Sequence, residues 1–292
     1  MKRAISKYLT RLDRPNTMKI GLVQASAASK KEKNVERAVH LIGEAAKKGA
    51  GIVCLQELFS TRYFCVFQEP KYFDLAESVP GPTINRLAEV ARENSVAVIA
   101  PIFEADTEVP GTFYNSAAVI DRKGRILGKY RKTHIPQLVG YQEKFYFKPG
   151  NMGYPVFEIP GLKFGLVICY DRHFEEGPRI QALKGAQIVF VPTCTGTYPE
   201  LWELELRAHA SFNTIFVAGL NRCGVEFPEQ PARYFGKSLV VDPKGEIIAR
   251  AGEEEAVLVA DLNLEEVNDR RKSAPFLRDR RPDLYGELTR SM

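Results

Sequence analysis

The 292-residue chain is 45% hydrophobic and 26% charged, the composition of an ordinary soluble protein with enough apolar side chains for one large core. Lys2, Arg3, Lys7, Arg11 and Arg14 against Asp13 place four of the five net positive charges in the first seventeen residues, so the body is near neutral and lacks the footprint of a nucleic-acid-binding surface. No stretch reaches the ~20 apolar residues of a membrane span and the basic N-terminal segment has no apolar signal-type run, so neither membrane nor nucleic acid is an expected partner and a cytoplasmic location is expected.

In chain order, residues 1–17 read as a basic arm ahead of a catalytic domain over 18–264, with a tail over 265–292. Short β-branched runs at 20–25, 52–55, 96–102, 164–168, 188–191 and 215–218 read as buried strands. Amphipathic stretches at 32–48, 83–94, 175–184 and 199–213 read as helices between them, with Gly49 and Gly185 placed as stops. This alternation predicts an α/β fold. The segment Ser116-Ala-Ala-Val-Ile-Asp-Arg-Lys-Gly-Arg-Ile-Leu is similar to Ser238-Leu-Val-Val-Asp-Pro-Lys-Gly-Glu-Ile-Ile. Each reads as strand, tight turn and strand, which suggests two similar halves. A four-layer αββα sandwich and a doubly wound three-layer fold would both produce this alternation.

Cys54, Cys65, Cys169, Cys194 and Cys223 are odd in number and form no C-x-x-C pair, so free thiols are expected. His40, His134, His173 and His209 are scattered without an H-E-x-x-H or H-x-H arrangement, so no metal site is expected, and no cofactor motif is present.

A single Cys, Glu or Lys at a strand end is most often structural. Three contexts together carry more weight: Leu55-Gln56-Glu57, then Tyr130-Arg131-Lys132-Thr133-His134, then Ile168-Cys169-Tyr170-Asp171. Glu57 and Cys169 each close an apolar run, and strand ends are where open α/β sheets place their sites. A thiol of pKa near ~8.5 needs a base or nearby cation to become a thiolate, and Glu57 and Lys132 supply both. Lys132, with the backbone N–H of Tyr170, would also face the oxyanion formed when Cys169 attacks a carbonyl.

This ordered set resembles the nitrilase superfamily of carbon–nitrogen hydrolases, whose triad is Glu, Lys and Cys in that order, over about Met18 to Leu284. The resemblance implies the αββα sandwich of two similar halves, no cofactor, and a homodimer or higher homo-oligomer. Gly140-Tyr-Gln-Glu-Lys-Phe-Tyr-Phe-Lys-Pro-Gly is similar to the segment of N-carbamoyl hydrolases that carries a second active-site glutamate, here Glu143.

The expected partner is a small N-carbamoyl substrate. Arg172 matches the arginine by which hydrolases of ureido acids hold the substrate carboxylate, and a guanidinium fork suits that group. A ureido acid such as N-carbamoyl-β-alanine or an N-carbamoyl amino acid is therefore the first expectation. N-carbamoylputrescine is the alternative, since the segment around Glu143 resembles that branch and Arg172 could instead pair with Asp171 or Glu175. A broad amidase, a nitrilase and a non-enzymatic scaffold are further alternatives. Tyr170 and Thr195, the latter in the loop from Thr193 to Tyr198, complete the expected substrate contacts.

Overall fold

The computed structural model describes residues 16–290, so the basic arm expected over 1–17 lies, up to residue 15, outside the described residues. The first half comprises β1 (Thr17–Gln24), α1 (Lys31–Lys47), β2 (Ile52–Leu55), α2 (Pro82–Glu93), β3 (Ala97–Ala105), β4 (Phe113–Ile120) and β5 (Ile126–Arg131). The second comprises β6 (Val156–Ile159), β7 (Leu162–Leu166), α3 (Glu176–Leu183), β8 (Ile188–Thr193), α4 (Pro199–Asn213) and β9 (Phe216–Asn221). A small hairpin, β10 (Cys223–Glu226) and β11 (Ala232–Phe235), precedes β12 (Leu239–Val241) and β13 (Ile247–Arg250). Finally β14 (Ala256–Asn263) returns to the first sheet, and α5 (Glu265–Ser273) follows it.

Two six-stranded sheets result, ordered β14-β1-β2-β3-β4-β5 and β13-β12-β9-β8-β7-β6. In each, three parallel strands are flanked on one side by an antiparallel hairpin and on the other by a single antiparallel strand. The repeated segments form the two hairpins. Asp121 N–H donates to the Arg125 carbonyl at 2.8 Å and Gly124 N–H to the Asp121 carbonyl at 2.9 Å, and Asp242 and Gly245 repeat these bonds at 2.8 and 2.9 Å. Each aspartate side chain also accepts from two N–H groups of its own turn, and Gly124 and Gly245 supply the left-handed residue, with φ of 78° and 90°.

Period-two alternation divides each sheet into two buried faces. Ile20, Leu22, Ile52, Cys54 and Ile99 face Phe164, Leu166, Ile188, Phe190 and Phe216 across the central core. The outward residues Val23, Val53, Leu55 and Val98 pack under α1 and α2, and Val167, Val189, Val191 and Val217 under α3 and α4. The layers are helix, sheet, sheet, helix. The four covering helices end in a common way: Gly49, Ser95, Gly185 and Thr214 take left-handed φ, and the next residue's N–H bonds back into the last turn. That turn sends the chain directly into the next strand.

The strands β6, β10, β11 and β14 were not legible in the sequence. Three of them are four residues long, and β14 pairs with β1 from the far end of the chain. The strand expected over 164–168 ends at Leu166 because Val167 and Ile168 already lead into a turn.

Candidate active site

Three chain segments that leave the sheets at strand ends converge. The chain after β2 reverses at Leu58, which takes a left-handed φ of 49°, and Cys169 after β7 does the same at 49°. A non-glycine residue held there is strained, and such strain persists only where surrounding contacts enforce it. Cys169 opens a short 3-10 turn, Cys169–His173. Asp171 fixes that turn: its Oδ2 accepts from Ile168 N–H at 3.1 Å and Tyr130 O–H at 2.7 Å, and its Oδ1 accepts from His134 N–H at 2.8 Å. One carboxylate thus ties the turn of Cys169 to the strand end that carries Lys132.

Glu57, Lys132 and Glu143 are wholly buried, and Cys169 is 4% exposed. The Lys132 ammonium donates to Glu57 Oε1 at 2.9 Å and to Glu143 Oε1 and Oε2 at 2.9 and 2.6 Å. Asn115 Nδ2 donates to Glu57 Oε1 at 2.7 Å, and Tyr63 O–H to Glu143 Oε1 at 2.6 Å. Of the four carboxylate oxygens, Glu57 Oε2 has no hydrogen-bond partner among the described residues.

Burial, followed by the Glu57 carboxylate, pushes the Cys169 thiol up to about 12, against the opposing pull of Lys132 and Arg172. Burial and the carboxylate both favour the protonated thiol. Burial pulls the Lys132 ammonium down, but Glu143 and Glu57 outweigh it and hold it well above the usual lysine value. Burial raises Glu143 above its usual value, although Lys132 opposes this.

The predicted Glu57, Lys132, Glu143 and Cys169 are thus in one cluster. Arg172 is close but committed. Its Nη1 donates to the Cys169 carbonyl at 3.1 Å and lies 4.0 Å from Cys169 Sγ, and its guanidinium sits 5.6 Å from the Trp202 ring centroid. Its ion-pair partner is Glu205 of α4, at 2.9 Å from Nε, rather than Asp171 or Glu175. The same Glu205 also holds His173 at 2.5 Å. Thr195 is buried, its N–H donates to Asn221 Oδ1 at 2.9 Å, and its hydroxyl lies 3.5 Å from that of Tyr141.

Tyr170 points its ring towards His173 and Phe174, with centroids at 5.0 and 5.6 Å. It lines a surface cavity of about 420 Å³ with His134, Ile135, Leu138, Lys144 and Phe174. The aromatic run near Glu143 divides: Tyr146 and Phe147 are core, whereas Tyr141 reaches the Thr195 loop.

Sequence reasoning assigned no role in the site to Asn115, Tyr63, Asp171 or Arg222. Arg222 is buried in an ion pair with Glu226 at 2.6 Å, and it donates to the Glu57, Leu58 and Thr61 carbonyls at 2.8, 2.9 and 2.9 Å. Asp171 was visible within Cys-Tyr-Asp-Arg-His-Phe. Asn115 and Tyr63 carry no local signal, because their importance lies in the carboxylates they meet, which are distant in the chain.

The carbon–nitrogen hydrolase family matches residues 19–272. The chain belongs to that family. It is 41% identical over 270 residues to an N-carbamoylputrescine amidase of Solanum lycopersicum, covering 87% of this chain and 89% of that one. It is 38% identical over 284 residues to a citrullinase of Francisella tularensis subsp. tularensis, covering 94% and 98%. A solved structure of a variant of the amidase from Nesterenkonia sp. AN1 superposes with a TM-score of 0.77 at 28% identity, covering 92% of this chain and 96% of that one. That structure has the acetamide moiety of fluoroacetamide added covalently at its active-site cysteine. This carbon–nitrogen hydrolase is accordingly an enzyme that acts on linear amides. Among the described residues no helix is long and apolar enough to cross a membrane.

Proposed function

We propose that this carbon–nitrogen hydrolase cleaves an N-carbamoyl amine to the amine, ammonia and carbon dioxide through a thioester at Cys169, with N-carbamoylputrescine as the leading substrate. The observation that carries the mechanism is the Glu57 carboxylate, its Oε2 without a hydrogen-bond partner among the described residues, close enough to the buried Cys169 thiol to help push it up to about 12.

In this reading Glu57 Oε2 takes the Sγ proton as sulfur attacks the carbamoyl carbon. The carbonyl π pair moves onto oxygen, where Lys132 Nζ and the Tyr170 N–H stabilise it in a site without bulk water. The pair returns as the C–N bond breaks, and Glu57 gives its proton to the departing nitrogen. A water then attacks the thioester, Glu57 takes its proton, and the proton returns to sulfur as the C–S bond breaks, releasing a carbamic acid whose remaining C–N bond breaks to give the amine and carbon dioxide. Glu143, bidentate to the Lys132 ammonium, fixes that ammonium in place.

Two considerations favour N-carbamoylputrescine over a ureido acid. The relatives include an amidase of that name, and Arg172, the expected carboxylate anchor, has its charge neutralised by Glu205. The second reading, an N-carbamoyl amine that carries a carboxylate, is favoured by Lys144 and His134 lining the cavity beside Tyr170 and by the citrullinase relative. Ammonia release from N-carbamoylputrescine, citrulline, N-carbamoyl-β-alanine and a nitrile tests both. Highest kcat/KM with N-carbamoylputrescine supports the first reading, preference for a carboxylate-bearing substrate replaces it with the second, and turnover of the nitrile alone refutes both.

The same reading includes a homo-oligomer, since Leu183, Leu201, Leu204 and Phe212 of α3 and α4 are exposed. Light scattering of the purified enzyme tests it, and a monomeric mass at micromolar concentration contradicts it.

A further inference from the structure

We propose that Asn115 is a positioning residue for proton transfer, which fixes the Glu57 carboxylate so that Oε2, and not Oε1, receives the Cys169 proton. This rests on the reading of Glu57 as the base.

The geometry is specific to this residue. Asn115 lies on β4, in register with Phe103 of β3 and next to Ser116, which pairs with Arg131 of β5. Its main-chain carbonyl accepts from Lys132 N–H at 2.8 Å, while its side chain donates to Glu57 Oε1 at 2.7 Å. One residue thereby holds the backbone of the ammonium and the carboxylate of the base.

With the Lys132 ammonium at 2.9 Å, Oε1 has two donors, and an oxygen whose lone pairs are already engaged is a poorer proton acceptor. A carboxylate held by Lys132 alone is free to pivot about that single contact and exchange its oxygens. The second donor removes that freedom. Asn115 Oδ1 has no hydrogen-bond partner, so the amide gives up half its bonding capacity in the buried site to hold this orientation, a cost that packing alone does not require.

The effect is predicted on rate. Without the Asn115 donor the Glu57 carboxylate loses a charge-assisted hydrogen bond and the orientation that it enforces.

Asn115→Leu, close in shape, and Asn115→Ala are measured beside Glu57→Gln in the full chain with the best substrate of the panel. The expected result is that both Asn115 variants lose about 10- to 100-fold in kcat with KM changed less than about threefold. Thermal midpoints show whether each variant is folded. If either folded variant keeps the wild-type kcat while Glu57→Gln is inactive, the positioning role is overturned and the assignment of the base survives. If Glu57→Gln retains full activity, the assignment of the base fails, and the inference fails with it.

Discussion

Replacing Lys132 with methionine removes the ammonium that compensates two buried carboxylates. Glu57 and Glu143 are both at 0% exposure, and Nζ lies 2.9 Å from the first and 2.6 Å from the second. Breaking a buried pair by removing one partner costs about 3–5 kcal/mol. At about 2–4 °C per kcal/mol for a large domain, the midpoint should fall on the order of 10 °C.

The sign with pH is fixed by the same geometry. Burial raises Glu143 above its unfolded value and Lys132 opposes that rise; without the ammonium the rise is unopposed, so the stability present at low pH is lost as pH rises. The deficit relative to wild type should therefore be larger near about pH 8 than near about pH 5. Differential scanning fluorimetry of both proteins at the two pH values measures it, with ammonia release confirming loss of turnover. A drop below about 2 °C at the higher pH, or a larger deficit at the lower one, refutes the claim that Lys132 compensates both carboxylates.

Tyr63→Phe removes one donor from Glu143 without altering shape, and kcat should fall about tenfold with KM nearly constant, as steady-state kinetics will show; an unchanged kcat contradicts a role for that bond. Arg172→Gln should lower kcat for every N-carbamoyl substrate, because Arg172 holds the Cys169 carbonyl; a rise in KM confined to carboxylate-bearing substrates returns Arg172 to the role of substrate anchor. His209 is kept below its usual pKa by burial, although its 2.6 Å bond to the Arg172 carbonyl opposes this. The folded state thus prefers neutral His209, and its contribution, full above the unfolded value of about 6.5, is lost as pH falls below it. A His209→Gln variant whose midpoint falls just as steeply over that range contradicts the assignment.

Glu57 and Cys169 were legible because each closes an apolar run, and strand ends gather at one edge of a sheet; Lys132 and Glu143 were legible only through the motifs around them. The internal repeat was legible because two Asp-x-Lys-Gly turns need the same glycine at the same left-handed position, as Gly124 and Gly245 show. Asn115, Tyr63 and Arg222 were not assigned to the site, since their hydrogen bonds join residues far apart in the chain and no local pattern encodes such a pairing. Arg172 was read from its residue type and offset alone. Its charge partner, Glu205, sits on α4, and only the packing of that helix against the Cys169 turn reveals that the guanidinium is already occupied. The relatives favour the N-carbamoylputrescine reading over the ureido-acid reading for which Arg172 had argued.

Covalent catalysis at Cys169 is tested by rapid quenching of the enzyme during turnover of N-carbamoylputrescine, followed by peptide mass mapping. The Cys169 peptide is expected to carry the acyl part of the substrate transiently, and Cys169→Ala to carry nothing and release no ammonia. Product formation with the Cys169 peptide unmodified at every time point would contradict it.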